Sequence, residues 1–314
     1  MPIPDIKEKW GSKINTVTIG AEGKRPVQVG GEDSLPFLHF EGATPNQPVI
    51  AMDVLDVEPV EWPEALSALF GAALKSPADW AKQCVEEFGA DMICLKLQSI
   101  HPDFGDATPQ QAAAVVEAVA KAAPVPLIVW GCDDDAKDNA ALPAVSQVLK
   151  GQRALIGTAK QDNYKTLTAC CIADGHNVMC ESPLDINIAK QVNILVSDMG
   201  FPPERIVIFP TTGALGYGIE YAYSIQERGR LAALGGDTMM AMPVLCMVGK
   251  EAWSAKESKA PDAEVPEWGP QAERGPAWEA TTATVLLQAG ADILVMRHPK
   301  AVAATRKYIG TLVG

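Results

Sequence analysis

The chain has 314 residues, 47% hydrophobic and 21% charged, a globular composition and neither a disordered nor a fibrous one. Lys and Arg total 26 against 39 Asp and Glu, for a net charge of −13. That balance excludes nucleic acid as a main partner, because neutralising phosphates takes a basic surface, and it argues against anionic membrane surfaces.

The start, MPIPDIKEKW, is charged and has no apolar stretch of the secretory kind. No run approaches the ~18 apolar residues of a membrane span. The stretch from Met239 to Val248 is shorter and is interrupted by Pro243. A cytoplasmic location is expected. The 7 cysteines (Cys84, Cys94, Cys132, Cys170, Cys171, Cys180 and Cys246) are odd in number and lack C-x-x-C spacing. They read as reduced, buried thiols rather than as a zinc or iron–sulfur cradle.

In chain order, two alternating segments come first, Ile14 to Gly20 and Arg25 to Gly31, joined by a short loop with Gly23. Period-2 alternation around a Gly-containing loop predicts a β-hairpin. An irregular stretch follows, from Glu32 to Pro48. Eight short apolar runs come next: Val49–Val54, Asp91–Leu97, Pro126–Cys132, Ala154–Thr158, Asn177–Glu181, Arg205–Phe209, Pro243–Val248 and Asp292–Met296. Continuous rather than alternating apolar runs mark strands buried on both faces.

Helical patterns lie between the runs: Pro77–Phe88, Pro109–Lys121, Leu184–Met199, Gly275–Gln288 and Pro299–Tyr308. Several carry Pro in the first turn or Gly past the end. Eight strand–helix units without a composition break predict an α/β fold, a (β/α)8 TIM barrel. The N-terminal β-hairpin is an addition placed to plug the barrel bottom. An open doubly wound sheet is the alternative, disfavoured because no G-x-G-x-x-G follows the first strand. The expected organisation is a hairpin and irregular segment over 1–48 and the barrel over 49–314, together one domain. The stretch Lys256–Pro276 is expected to be a long loop.

In a barrel, chemistry sits at the C-terminal strand ends. These ends carry Asp53 and Asp56, then Lys96, Gln98 and His101, then Cys132 and Asp133. Thr158 and Lys160, Glu181 to Asn187, Thr211 to Gly218, Gly249 to Trp253, and Arg297 with His298 complete the rim. The histidines His39, His101, His176 and His298 form no metal-ligand spacing, and His176 falls at the wrong end. Lys96 could form a Schiff base, but an ion pair to Asp53 or Glu181 across the rim is the plainer reading. Asp53 and Glu181 could act as an acid–base pair, or simply pair with Lys96 or Arg297. Gly213 to Gly218 opens a helix and could cradle an anion, or be a turn that needs φ > 0. Residues alone thus give a well-furnished rim without an evident catalytic set.

Six stretches carry a resemblance. They are LPFLHFEG (Leu35–Gly42), DWAKQCVEEFGAD (Asp79–Asp91), SPLDINIAKQVNIL (Ser182–Leu195), GALGYGIEYAYSIQERGRLAALGGD (Gly213–Asp237), MPVLCMVGKEAWSAKE (Met242–Glu257) and AGADILVMRHP (Ala289–Pro299). In this order, over nearly the whole chain, they resemble the small subunit of the corrinoid/iron–sulfur protein and the delta subunit of acetyl-CoA decarbonylase/synthase. The chain departs from the family pattern at Leu38-His39, where two histidines stand together, and at Gly213-Ala214, where a glycine pair stands.

The resemblance implies a TIM barrel in a heterodimer with a large corrinoid/iron–sulfur subunit. That subunit is expected to carry the [4Fe–4S] cluster, so no iron–sulfur cluster is expected in this chain, and the corrinoid (a cobamide) would be shared between the two. Further implied partners are methyltetrahydrofolate methyltransferase and CO dehydrogenase/acetyl-CoA synthase, which donate and receive the methyl group. The cofactor would carry the chemistry, the protein orientation and shielding. Cofactor-binding candidates on the rim are Asp53, Asn187, Thr211, Thr212, Gly213, Leu215, Gly216, Tyr217 and Trp253. No catalytic residue and no protein-built metal site is expected. Two rival readings remain: an independent barrel methyltransferase that binds a pterin itself, and a structural partner that never touches the cofactor.

Overall fold

The computed structural model describes residues 6–313. The reading of the charged start falls partly on residues 1–5, outside the described residues.

A two-stranded antiparallel hairpin comes first, β1 (Val17–Ile19) and β2 (Val27–Val29). The barrel strands are β3 (Val49–Leu55), β4 (Met92–Lys96), β5 (Leu127–Trp130), β6 (Leu155–Ala159), β7 (Asn177–Ser182), β8 (Ile206–Pro210), β9 (Leu245–Cys246) and β10 (Ile293–Met296). Helices α1 (Glu64–Ser67) and α2 (Pro77–Glu86) follow β3. After β4 to β8 come α3 (Pro109–Ala122), α4 (Asp135–Val148), α5 (Tyr164–Asp174), α6 (Ile186–Asp198) and α7 (Ile219–Leu234). Helices α8 (Val248–Ala252), α9 (Lys256–Lys259) and α10 (Gln271–Ala289) lie between β9 and β10, and α11 (Pro299–Leu312) ends the fold.

All strand pairings in the larger sheet are parallel, in the order β8-β7-β6-β5-β4-β3-β10-β9. A parallel bridge between Ile208 and Val244 brings the ends together. The result is the expected (β/α)8 barrel with an N-terminal hairpin. Every residue of β3 is buried, the reason its run is continuously apolar. Ile50, Met52 and Val54 face the helices, while Val49 and Ala51 face the lumen.

Local signals set the helix starts. Ser76 accepts from the Asp79 N–H ahead of Pro77, and Thr108 with Gln111 forms a capping box ahead of Pro109. Two boundaries differ from expectation. Lys256–Pro276 is not one loop: α9 lies inside it, and α10 already begins at Gln271, with Pro276 in its interior. The seventh strand shrinks to Leu245–Cys246 because α8 starts at Val248.

The hairpin closes one end of the lumen. Val17, Ile19 and Val29 pack with Val49, Met92, Leu155 and Ile293, residues near the starts of their strands. Asn177 Nδ2 donates to the Thr18 carbonyl at 3.0 Å, and the Gly20 N–H donates to the Arg153 carbonyl at 2.9 Å. The irregular segment is pinned beside the plug. Buried Arg230 donates to Glu32 at 3.0 Å and to Asp292 at 3.3 Å. No helix is long and apolar enough to cross a membrane among the described residues.

Candidate functional site at the C-terminal rim

Period-2 alternation carries the lumen from apolar to charged. On β3 the inward series is Val49, Ala51, Asp53; on β4 it is Met92, Cys94, Lys96; on β10 it is Ile293, Val295, Arg297. Trp130 and Phe209 meet edge to face, with ring centroids 5.6 Å apart, and cap the apolar part. Above them lies the charged layer. Arg297 Nε donates to Asp53 Oδ2 at 2.7 Å. Lys96 Nζ donates to Asp133 at 2.7 Å, so its partner is neither Asp53 nor Glu181 as expected; Arg297 has already taken Asp53. Glu181 instead accepts from the Thr158 hydroxyl and lies 3.9 Å from Lys160.

A cavity of about 280 Å³ opens between β3, β4, β5, α8 and β10. Its walls include Asp53, Trp62, Lys96, Trp130, Lys250, Trp253 and Arg297. Lys96 Nζ and Lys250 Nζ lie 4.0 and 4.8 Å from the Trp130 ring centre, and the Arg297 guanidinium lies 4.8 Å from that of Trp62. Asp53 is buried, and among the described residues its Oδ1 has no hydrogen-bond partner.

A buried carboxylate on α10 holds two walls in register. Glu279 accepts from the Trp253 indole N–H at 2.6 Å and from the backbone N–H of Arg297 at 2.6 Å, and also from that of His298. Burial pushes the Glu279 carboxyl up to about 7, against the pull of these donors. Trp253 stacks on His298, whose imidazole is pushed down to about 4 by burial and then by Lys300. Two glycines make this packing possible. A Cβ on Gly275 would lie 2.4 Å from the Trp253 ring, and one on Gly249 would lie 2.7 Å from the Arg297 side chain.

Of the candidates read from sequence, the structure brings Asp53 and Trp253 together in the cavity. The others stand elsewhere on the rim. Asn187 is exposed in the first turn of α6. Thr211 is exposed and donates to the Ser182 carbonyl, while Thr212 is buried and its hydroxyl accepts from the Met247 N–H at 3.0 Å. Gly213 abuts the Gly218 backbone, Leu215 is half-buried, and Gly216 and Gly218 have φ of +75° and +86°. That loop is a turn closed on itself rather than an open anion cradle. Tyr217 is 52% exposed, and its hydroxyl accepts from the Lys256 N–H.

Sequence reasoning missed Trp62, Trp130 and Glu279. Trp130 shares the inward face with Ile128, a signal present in the PLIVWGC run. Glu279 falls on the apolar stripe of α10 with Gly275, Thr282 and Leu286, so a lone acid on a buried face was its signal.

Fold and rim together define a (β/α)8 barrel with a charged, aromatic-walled cavity at its C-terminal mouth. Among the described residues no group of three or more His, Cys, Asp or Glu could hold a metal ion. Comparison with known proteins then gives the family. The family described as CO dehydrogenase/acetyl-CoA synthase delta subunit matches residues 16–304. The chain is 36% identical to the acetyl-CoA decarbonylase/synthase complex subunit delta 2 of Methanosarcina acetivorans, covering 98% of this chain and 72% of that one. It is 37% identical to the delta subunit of Archaeoglobus fulgidus, over 98% of this chain and 70% of that one.

The chain belongs to the CO dehydrogenase/acetyl-CoA synthase delta subunit family. Among solved structures it resembles dihydropteroate synthase from Xanthomonas albilineans in complex with 7,8-dihydropteroate. The TM-score is 0.56 at 14% identity, covering 90% of this chain and 100% of that one. That likeness is one of fold.

Proposed function

We propose that this chain is the barrel half of a corrinoid methyl carrier, covering the corrinoid jointly with a larger corrinoid/iron–sulfur subunit in a heterodimer. The carrying observation is the apolar dressing of the rim. Val60 is 84% exposed, Phe104 45% and Tyr217 52%, with Leu184, Tyr221 and Trp268 also exposed. Val60, Phe104, Leu184, Tyr217 and Trp268 come from five different strand-to-helix connections at the C-terminal end, and Tyr221 from the first turn of α7, while Phe40, Val148, Ile172, Met199 and Leu231 are exposed elsewhere. Large apolar side chains standing on five connections around one mouth fit a surface that something covers.

The residues present fit a wide, flat macrocycle edged with amides. The cavity is too small to enclose such a ring, so the ring would lie across the mouth. Lys250 and Gln98 beside the cavity, and Asn187 and Thr211 farther round the rim, offer donors and acceptors to edge amides. A bound corrinoid would supply the cobalt that accepts and releases the methyl group. The chain's own part is to orient the ring, exclude water above it, and let go when a partner arrives, which calls for a modest interface energy. Membership of the delta family supports this assignment, since the relatives are named as subunits of the acetyl-CoA decarbonylase/synthase complex. Methyltetrahydrofolate methyltransferase and CO dehydrogenase/acetyl-CoA synthase are the proposed donor and acceptor partners.

Co-purification tests this reading. Expressed with a larger subunit, the chain should come out in a coloured, cobalt-containing complex. Tyr217→Ala should raise the oxidation rate of reduced cobalt there. A cobalt-free chain that binds methyltetrahydrofolate by itself would contradict the proposal and favour a self-contained methyltransferase.

A further inference from the structure

The rim cavity holds more cationic hydrogen-bond donors than its neighbours engage. On a chain of net charge −13, the cavity wall gathers Lys96, Lys250, Lys259 and Arg297. Lys96 is neutralised by Asp133, and Arg297 Nε by Asp53. The remaining donors are not matched. Among the described residues no acceptor lies within hydrogen-bond distance of Lys250 Nζ; its one ion-pair contact is Glu251, at 4.0 Å. Burial raises the Glu251 carboxyl above its ordinary value, against the pull of Lys250, Arg297 and Lys96. The two terminal nitrogens of Arg297 likewise have no acceptor among the described residues, although that side chain is largely buried. Glu58 and Glu61 also line the cavity, but on its exposed outer lip.

Two cations pressed on flat indoles, each with donors to spare, describe a definite ligand class. We infer that the cavity between Lys250 and Arg297 is a binding site for an oxyanion, a phosphate or carboxylate carried on a small body that fits about 280 Å³ between Trp62 and Trp130. The planar Arg fork and the Lys point charge suit two oxygens of one such group. Trp130 lines the cavity, and among the described residues its own indole N–H has no acceptor. The oxyanion is either a free small molecule or the phosphate of a cobamide nucleotide tail. Both present the same oxygens.

The test uses the full chain alone and inorganic phosphate as the probe. Tryptophan indole N–H resonances are followed at constant ionic strength, with chloride as the comparison salt. Saturable shifts in Trp62 and Trp130 are expected with phosphate. Lys250→Gln should weaken the half-saturation point about tenfold. Arg297→Lys, which keeps a charge beside Asp53, should weaken it less, and Lys307→Gln on the far surface should leave it unchanged.

Linear shifts, shifts reproduced by chloride, or an unaltered Lys250→Gln would overturn the site. Repeating the titration on the corrinoid-loaded complex separates the sources. Loss of the response with a complete cobamide but not with cobinamide, which lacks the nucleotide, assigns the oxyanion to the tail; persistence with both assigns it to a free anion. A failed phosphate titration leaves the methyl-carrier reading standing, and a cobalt-free complex leaves this site standing.

Discussion

The two ends of the barrel are built on opposite terms. At the N-terminal end the lumen is sealed by β1 and β2, and the buried Arg230 is engaged between Glu32 and Asp292. At the C-terminal end the lumen stops at Trp130 and Phe209, and above it apolar side chains stay exposed and cations stay short of partners. One end uses its side chains to hold the fold, and the other leaves several of them exposed or, among the described residues, unpaired. A barrel of this kind can vary its upper loops without loosening its base.

The largest effect that would break this contrast lies at the sealed end. Arg230→Ala removes the partner of two buried carboxylates and should cost about 3–5 kcal/mol in denaturant unfolding. A loss below about 1 kcal/mol would show that the base is not held by this network. Because the site lies at the far end, phosphate binding by the folded variant should persist.

An intermediate effect lies behind the rim, at Glu279. An acid whose folded pKa is raised favours the folded state while protonated, and that contribution fades as pH climbs from about 4.5 to about 7. Wild-type stability relative to Glu279→Gln should therefore fall by about 3 kcal/mol across that range. The depressed His298 acts the other way, losing stability as pH drops from about 6.5 to about 4, but it is present in both proteins and cancels in the difference. A pH-independent difference would contradict the buried, proton-holding Glu279.

The smallest stability effects belong to the exposed rim. Val60→Ser should change unfolding free energy by no more than about 0.5 kcal/mol, because that side chain is not packed, and Tyr217→Ser by about 1 kcal/mol, because it also gives up the hydrogen bond from the Lys256 N–H. Their effect should appear in affinity for the larger subunit. A large loss of stability in either variant would mean that the rim is structural like the base.

Much of the fold was legible in the sequence because buried parallel strands must be continuously apolar. All eight runs became strands, and the hairpin formed where alternation placed it. Helices α4 and α5 were less legible: Pro143 interrupts the first, and the second has no strong apolar stripe. The site was half legible. Strand-end position found Asp53 and Trp253, yet it also promoted Thr212, whose hydroxyl is spent on the Met247 backbone. Position along a strand cannot say which rim charges pair: it offered Lys96 either Asp53 or Glu181, and the geometry gives it Asp133. Trp62 comes from the connection after β3, where no periodicity announces which side chain turns inward.

Hydrogen exchange on the chain alone and in the corrinoid-loaded complex tests the central claim most directly. Protection should appear in the rim connections around 57–62 and 211–218, and the hairpin at 17–29 should stay unchanged. Protection confined to the hairpin end, with the rim exchanging as freely as before, would contradict the account.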